Sequence, residues 1–229
     1  PVPAGHGALV SKFVEVKNNF PQYSSIFIRN IDNVASEGSE FTEATQVLLA
    51  YHQSILNTLK QLRCELGRHN LEQAAVISAR FEKILVCSAL DQQQENFLDS
   101  CKDHSERQLW RVLLTYLRTP TYLLNSGLSL KQLYQRPLNT FGVVPNSGKD
   151  VGGTPCLVQG PKGPLAICLE VSHASGEDQE RFLKNPSRAT HFNPVFVCAE
   201  LPKDPNYYEK NHLCTYLNYF CIFAAGSKP

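Results

Sequence analysis

Phe41-Thr-Glu-Ala-Thr45-Gln-Val-Leu48-Leu-Ala-Tyr-His52-Gln-Ser-Ile55-Leu-Asn-Thr-Leu59-Lys-Gln-Leu62-Arg-Cys-Glu-Leu66 is the stretch whose periodicity decides the fold class. Phe41, Thr45, Leu48, His52, Ile55, Leu59, Leu62 and Leu66 recur at alternating steps of four and three, the spacing that keeps one stripe of a helix turned toward a partner. Upstream, Ser36-Glu37-Gly38-Ser39 breaks the chain, and Ser39, Glu40 and Glu43 suit a helix start. Downstream, Gly67 suits its end. His52 is the polar member of the stripe. At a seam position it either sets register and titrates near neutral pH, or is a core-edge histidine bonded to a carbonyl; the second is expected.

Toward the N-terminus, Leu9, Phe13, Val16 and Phe20 predict a helix over Ala8 to Phe20, closed by Pro21. Tyr23 to Val34 is compatible with either strand or helix. Toward the C-terminus, Asn70-Leu-Glu-Gln73 and Asp91-Gln-Gln-Gln94 read as capping boxes. They open a third helix carrying Ala74, Ile77, Phe81, Ile84 and Leu85, and a fourth running through Phe97, Leu98, Cys101, Leu109, Val112, Leu113, Tyr116 and Leu117 to Arg118. Linkers of a few residues make consecutive helices antiparallel neighbours. A short helix over Leu128 to Gln135 completes residues 1–135 as a helical bundle.

Pro137 changes the period. Glycine and proline concentrate from Pro137 to Pro164. Strands are expected at Cys156 to Gln159 and Leu165 to Val171, joined through Gly160-Pro-Lys-Gly163, then at Phe192 to Ala199 and Leu213 to Ala225. Residues 136–229 thus form a β-rich region, packed on the bundle as one domain or standing apart. The fold class expected is α+β, an antiparallel helical bundle followed by a small, mainly antiparallel β-sheet.

The chain has 229 residues and is 42% hydrophobic, ample for a core without external staples. Its 22 Lys and Arg balance 21 Asp and Glu, the pattern of neither a nucleic-acid scaffold nor a polybasic membrane surface. No run approaches a membrane span, and Pro1-Val-Pro-Ala-Gly5 lacks the regions of a signal peptide. The missing initiator Met reads as a chain cut from something longer, or processed. Eight cysteines, Cys64, Cys87, Cys101, Cys156, Cys168, Cys198, Cys214 and Cys221, fall mostly in helical or strand-like apolar contexts. That placement favours buried free thiols and an intracellular compartment, cytoplasm or nucleus.

Gly142-Val-Val-Pro-Asn-Ser-Gly148-Lys149-Asp150 imitates a phosphate loop. Its glycine spacing is wrong, Asp150 stands where a hydroxyl is needed, and Gly152-Gly-Thr-Pro155 is a turn and not a helix start, so a flexible connector is expected. His212 and Cys214, with Cys168 or Cys198, could gather a metal, yet no Cys-x-x-Cys exists. Cys168 or Cys198 with His173 or His191 and Asp178 supplies the parts of a thiol hydrolase, and Ser172-His173 a serine version, without a nucleophile motif. No cofactor is expected.

The function expected is a non-catalytic protein–protein interaction module, a subunit or scaffold domain of an intracellular multiprotein assembly. Its partners are other protein subunits, not nucleic acid or membrane. The alternatives are a Cys/His-dependent hydrolase and a secreted, disulfide-linked recognition domain. The heptad helix and Tyr207 and Tyr208, in a loop of Pro, Asn and charges, are the candidate contact surfaces. Arg107 and Arg111, beside Trp110 in a basic stripe with Arg118 at helical spacing, are further candidate partner-binding residues, and Trp110 itself is expected to be buried.

Overall fold

The computed structural model describes residues 9–29, 40–146, 153–160, 163–171, 174–185, 187–201 and 219–224. The heptad stretch folds as one helix, α2 (Glu40–Gly67), after a first helix α1 (Leu9–Asn19) and a strand β1 (Ser25–Arg29). Ile26 and Ile28, alternating with Ser25, Phe27 and Arg29, give β1 its two faces. The segment that the sequence leaves open between strand and helix is therefore extended over these residues.

Leu48, His52, Ile55, Leu59, Leu62 and Leu66 of α2 are all buried. From Leu48 to Leu66 the heptad seam is core. From Ile55 to Leu66 it packs in one cluster with α3 (Leu71–Ser78), α5 (His104–Thr115) and α6 (Leu130–Tyr134), through Ala74, Ile77, Leu109, Leu113, Leu133 and Tyr134. At Leu48 it enters a second cluster with Phe196 and Cys198 of the sheet, with Phe27 packed against it. One helix thus serves two cores.

The caps follow the sequence chemistry. The Asn70 side chain accepts from the Gln73 amide and opens α3, which runs on as a 3-10 turn, Ala79–Lys83, burying Phe81. Asp91 and Gln94 form a complete capping box at α4 (Gln92–Ser100). Ser129 and Gln132 do the same at α6. The expected continuous helix from Asp91 to Arg118 is two helices. Cys101 turns extended, its carbonyl takes two bonds from the Arg107 guanidinium at 3.1 and 2.7 Å, and Asp103 caps α5 on the Glu106 amide at 2.7 Å.

In the sheet, β6 (Phe196–Glu200) lies between β1 and β2 (Leu138–Pro145), antiparallel to both, and β7 (Tyr219–Ala224) pairs with β2 in parallel. The sheet therefore draws a strand from each half of the chain. β2 is the correction to the sequence reading, since its Gly142-to-Pro145 end was expected to be flexible connector. Gly142 must be small there: a β-carbon would meet the Phe196 ring and come within 3.3 Å of Leu48. Gly148, Lys149 and Asp150 lie outside the described residues.

The single strand expected over Phe192 to Ala199 is two, β5 (His191–Phe192) and β6, both antiparallel to β2, with the register stepping by two residues across Asn193 to Val195. This is a bulge. Val195 has φ 59, and the buried Asn193 amide stitches the gap by donating to the Gly142 and Phe196 carbonyls at 2.6 and 3.0 Å. Its backbone also bridges Gly153, tying in the hairpin β3 (Thr154–Gly160) and β4 (Gly163–Leu169). A single helical turn, α7 (Gly176–Asp178), and a π turn, Gln179–Leu183, precede β5. The protein is α+β, with its helices in the N-terminal half and a mainly antiparallel sheet.

Candidate functional site

His52 projects from α2 onto the sheet and spans β6. Its Nδ1 lies 2.9 Å from the Thr140 hydroxyl on β2 and its Nε2 lies 3.1 Å from the Ser25 hydroxyl on β1. The expected carbonyl partner is replaced by two hydroxyls. A neutral ring donates to one and accepts from the other. Burial holds its pKa down, to about 4; Glu200 opposes that shift and Lys60 adds to it. The imidazole is therefore a neutral pin between the helix and two strands.

About three helical turns further along α2, Arg63 donates to both Glu200 carboxylate oxygens at 2.6 and 3.1 Å and to the Tyr134 and Arg136 carbonyls at 2.6 and 2.8 Å. Glu200 accepts from the Leu138 amide as well, at 2.9 Å. This nearly buried pair clamps the start of β2 between α2 and β6, with its charges and lone pairs well used.

Beside the His52 pin lies a groove of about 490 Å³ between α2 and β1, lined by Ser25, Ile26, Phe27, Leu49, Ala50, His52, Gln53 and Cys198. Leu49 on its α2 wall is 41% exposed, and Phe20 and Tyr23, just before β1 in the chain, are 48% and 56% exposed.

The backbone of β1 completes the site. The Leu201 amide donates to the Ser24 carbonyl at 2.8 Å, and the register then runs Ser25↔Glu200, Ile26↔Ala199, Phe27↔Cys198, Ile28↔Val197 and Arg29↔Phe196. In an antiparallel ladder, hydrogen-bonded pairs alternate with non-bonded pairs. Since Ser24 bonds toward β6, so do Ile26 and Ile28, while the N–H and C=O groups of Ser25, Phe27 and Arg29 point away from it. Among the described residues no strand pairs with that side. The groove opens along this edge.

The other candidate residues are placed less suggestively. The Arg107 guanidinium is occupied by the Cys101 carbonyl at the end of α4, so it acts as a helix cap, while Arg111 is exposed on α5. Trp110 is buried, edge-to-face on Phe97 at 4.9 Å. Tyr207, Tyr208, His212, Cys214, Ser172 and His173 lie outside the described residues.

Burial pushes the Cys198 and Cys168 thiols up to about 12, Cys156 adding to the shift at Cys168, which leaves both protonated and weakly nucleophilic at neutral pH. Asp178 is engaged with Ser175 at 2.8 Å, and the His191 Nδ1 sits 3.1 Å from the Thr190 hydroxyl. Cys64, Cys87, Cys101, Cys156, Cys168 and Cys198 are free thiols. Among the described residues no three metal-ligating side chains converge, and no helix is long and apolar enough to cross a membrane.

Sequence reasoning missed Ser25, Phe27, Arg29, Leu49 and Gln53. The alternation of Ile26 and Ile28 was a signal for the strand, but nothing local marks which of its edges is open. No curated protein and no solved structure matches this chain. A family model matches residues 2–225, nearly the whole length, and the chain belongs to that family, described as Domain of unknown function (DUF4301).

Proposed function

We propose that this chain is a non-catalytic protein–protein interaction module, a subunit or scaffold domain of an intracellular multiprotein assembly. The observation that carries the reading is the β1 edge: three residues turn their backbone donors and acceptors outward beside an apolar groove on α2. An exposed sheet edge next to side-chain pockets is a recurrent way of gripping another chain, the ladder supplying affinity and the pockets specificity. Leu49, on the α2 wall of the groove, is itself apolar and exposed.

Affinity capture from lysate tests the reading, with three baits: the intact chain, Arg29→Pro and the double variant Tyr207→Ala/Tyr208→Ala. Proline at position 29 removes an outward N–H and places a ring on the edge without touching the ladder to β6. A stoichiometric partner kept by the intact chain and the tyrosine variant, and lost with Arg29→Pro, is the expected result. If all three baits retain no partner, the module reading fails.

A further inference from the structure

The chemistry around β1 narrows what it would grip, on the premise that the interaction-module reading holds. We infer that the β1 edge takes an extended peptide with apolar side chains in its middle and carboxylates toward its ends.

Ser25, Phe27 and Arg29 offer three outward N–H and three outward C=O groups, so a strand laid against them continues the β6-β1 ladder by one more rung set. The Ser25 side chain is on the α2 side of the sheet, bonded to His52, and the Phe27 ring packs edge-to-face on Phe196 at 5.0 Å. An added strand places its alternate side chains on that same side, over the groove wall formed by Leu49, Ala50 and Gln53. These positions call for apolar residues of moderate size.

Cations stand at both ends of the strand. Lys60 lies at the first end, its Nζ 2.9 Å from the Ser24 hydroxyl. Lys17 lies there too, donating to the Pro21 and Tyr23 carbonyls at 3.0 and 2.9 Å. Arg29 closes the other end. None of the three is in an ion pair among the described residues. At roughly 3.4 Å per residue, a peptide of about six residues puts a carboxylate near each end.

The same charges argue against a second copy of the chain as the occupant. Two-fold pairing of β1 about Phe27 would lay Arg29 of one copy against Ser25 of the other, into the Lys17 and Lys60 end. Cations on an edge strand are a known guard against such self-pairing. Here they also select among foreign strands.

The test uses fluorescein-labelled Glu-Val-Thr-Val-Thr-Asp, the same peptide with Lys at both ends, and the acidic peptide with its central Thr replaced by Pro. Polarisation titrations are run on the whole chain, Arg29→Pro, Arg29→Glu and Arg111→Ala, each checked for an unchanged melting transition. Saturable binding of the acidic peptide is expected. It should be at least about tenfold tighter than the Lys peptide and weaken by about tenfold or more in Arg29→Pro and with the Pro peptide. Salt should weaken it, and Arg111→Ala should leave it unchanged.

Equal binding of the acidic and Lys peptides overturns the charge argument. Binding that survives Arg29→Pro overturns the edge. Self-association of the intact chain that Arg29→Pro abolishes replaces the acidic peptide with a second copy. If no peptide binds while lysate capture still depends on position 29, the module stands and the peptide chemistry is wrong.

Discussion

Acidification should cost this protein stability through one residue, His52. The ring is buried, held between the Thr140 and Ser25 hydroxyls, with its pKa lowered from 6.5 to about 4. Both hydroxyls can accept from an imidazolium, so protonation does not break the pin; what the charged ring lacks inside the fold is hydration. The unfolded chain binds a proton below pH 6.5 while the folded chain resists it down to about 4. The contribution is therefore complete above 6.5, lost as the pH falls toward 4, and lost no further below that. The pKa difference corresponds to a ceiling of about 3.4 kcal/mol, and at about pH 4.5 about 2.5 kcal/mol has gone.

Other groups titrate in the same range, so the assay is a difference. Urea unfolding of the parent and of His52→Gln is compared at about pH 7.5, 6, 5 and 4.5. Glutamine can bond both hydroxyls and carries no proton equilibrium here. The parent should be the more stable at neutral pH, and its advantage should shrink by about 2.5 kcal/mol on acidification. A parallel pH dependence in the two proteins would refute the reasoning, since His52 would then titrate as an exposed imidazole.

Leu59 is fully buried in the α2 seam, so Leu59→Asp should destabilise by on the order of 4 kcal/mol in chemical denaturation, from lost packing and a buried unpaired charge. A parent-like melt would mean the seam is an external face. Gly142→Ala places a methyl group against the Phe196 ring and Leu48 and should cost about 1 to 3 kcal/mol by the same assay, with no effect on α3 to α6. Mild alkylation at neutral pH should label the exposed Cys64 and Cys87 first and reach Cys168 and Cys198 only after unfolding. A fast-reacting Cys198 in the native protein would revive the hydrolase alternative.

The parts of this fold legible in the sequence are those encoded locally. The α2 seam is a periodicity, and the Asn70 and Asp91 caps are chemistry acting over three residues. The break after Ser100 was also local, since Asp103-x-x-Glu106 is itself a cap sequence. It was hidden because the apolar spacing runs on from Phe97 through Leu109. β2 escaped detection for a tertiary reason: Gly142 looks unlike strand interior until it meets the Phe196 ring and Leu48. The candidate site is harder still. His52 stood out as a polar residue in an apolar seam, but its partners come from β1 and β2, and the open edge is set by a bond between Ser24 and Leu201, which are remote in the chain.

Amide hydrogen exchange along β1, read residue by residue with and without the captured partner, tests the central claim most directly. In the free protein Ile26 and Ile28, bonded to β6, should be protected, while Ser25, Phe27 and Arg29 exchange rapidly. Addition of the partner should slow those three and leave Ile26 and Ile28 nearly unchanged. Equal protection of all five amides in the free protein would mean that the edge is already covered, and would contradict the account.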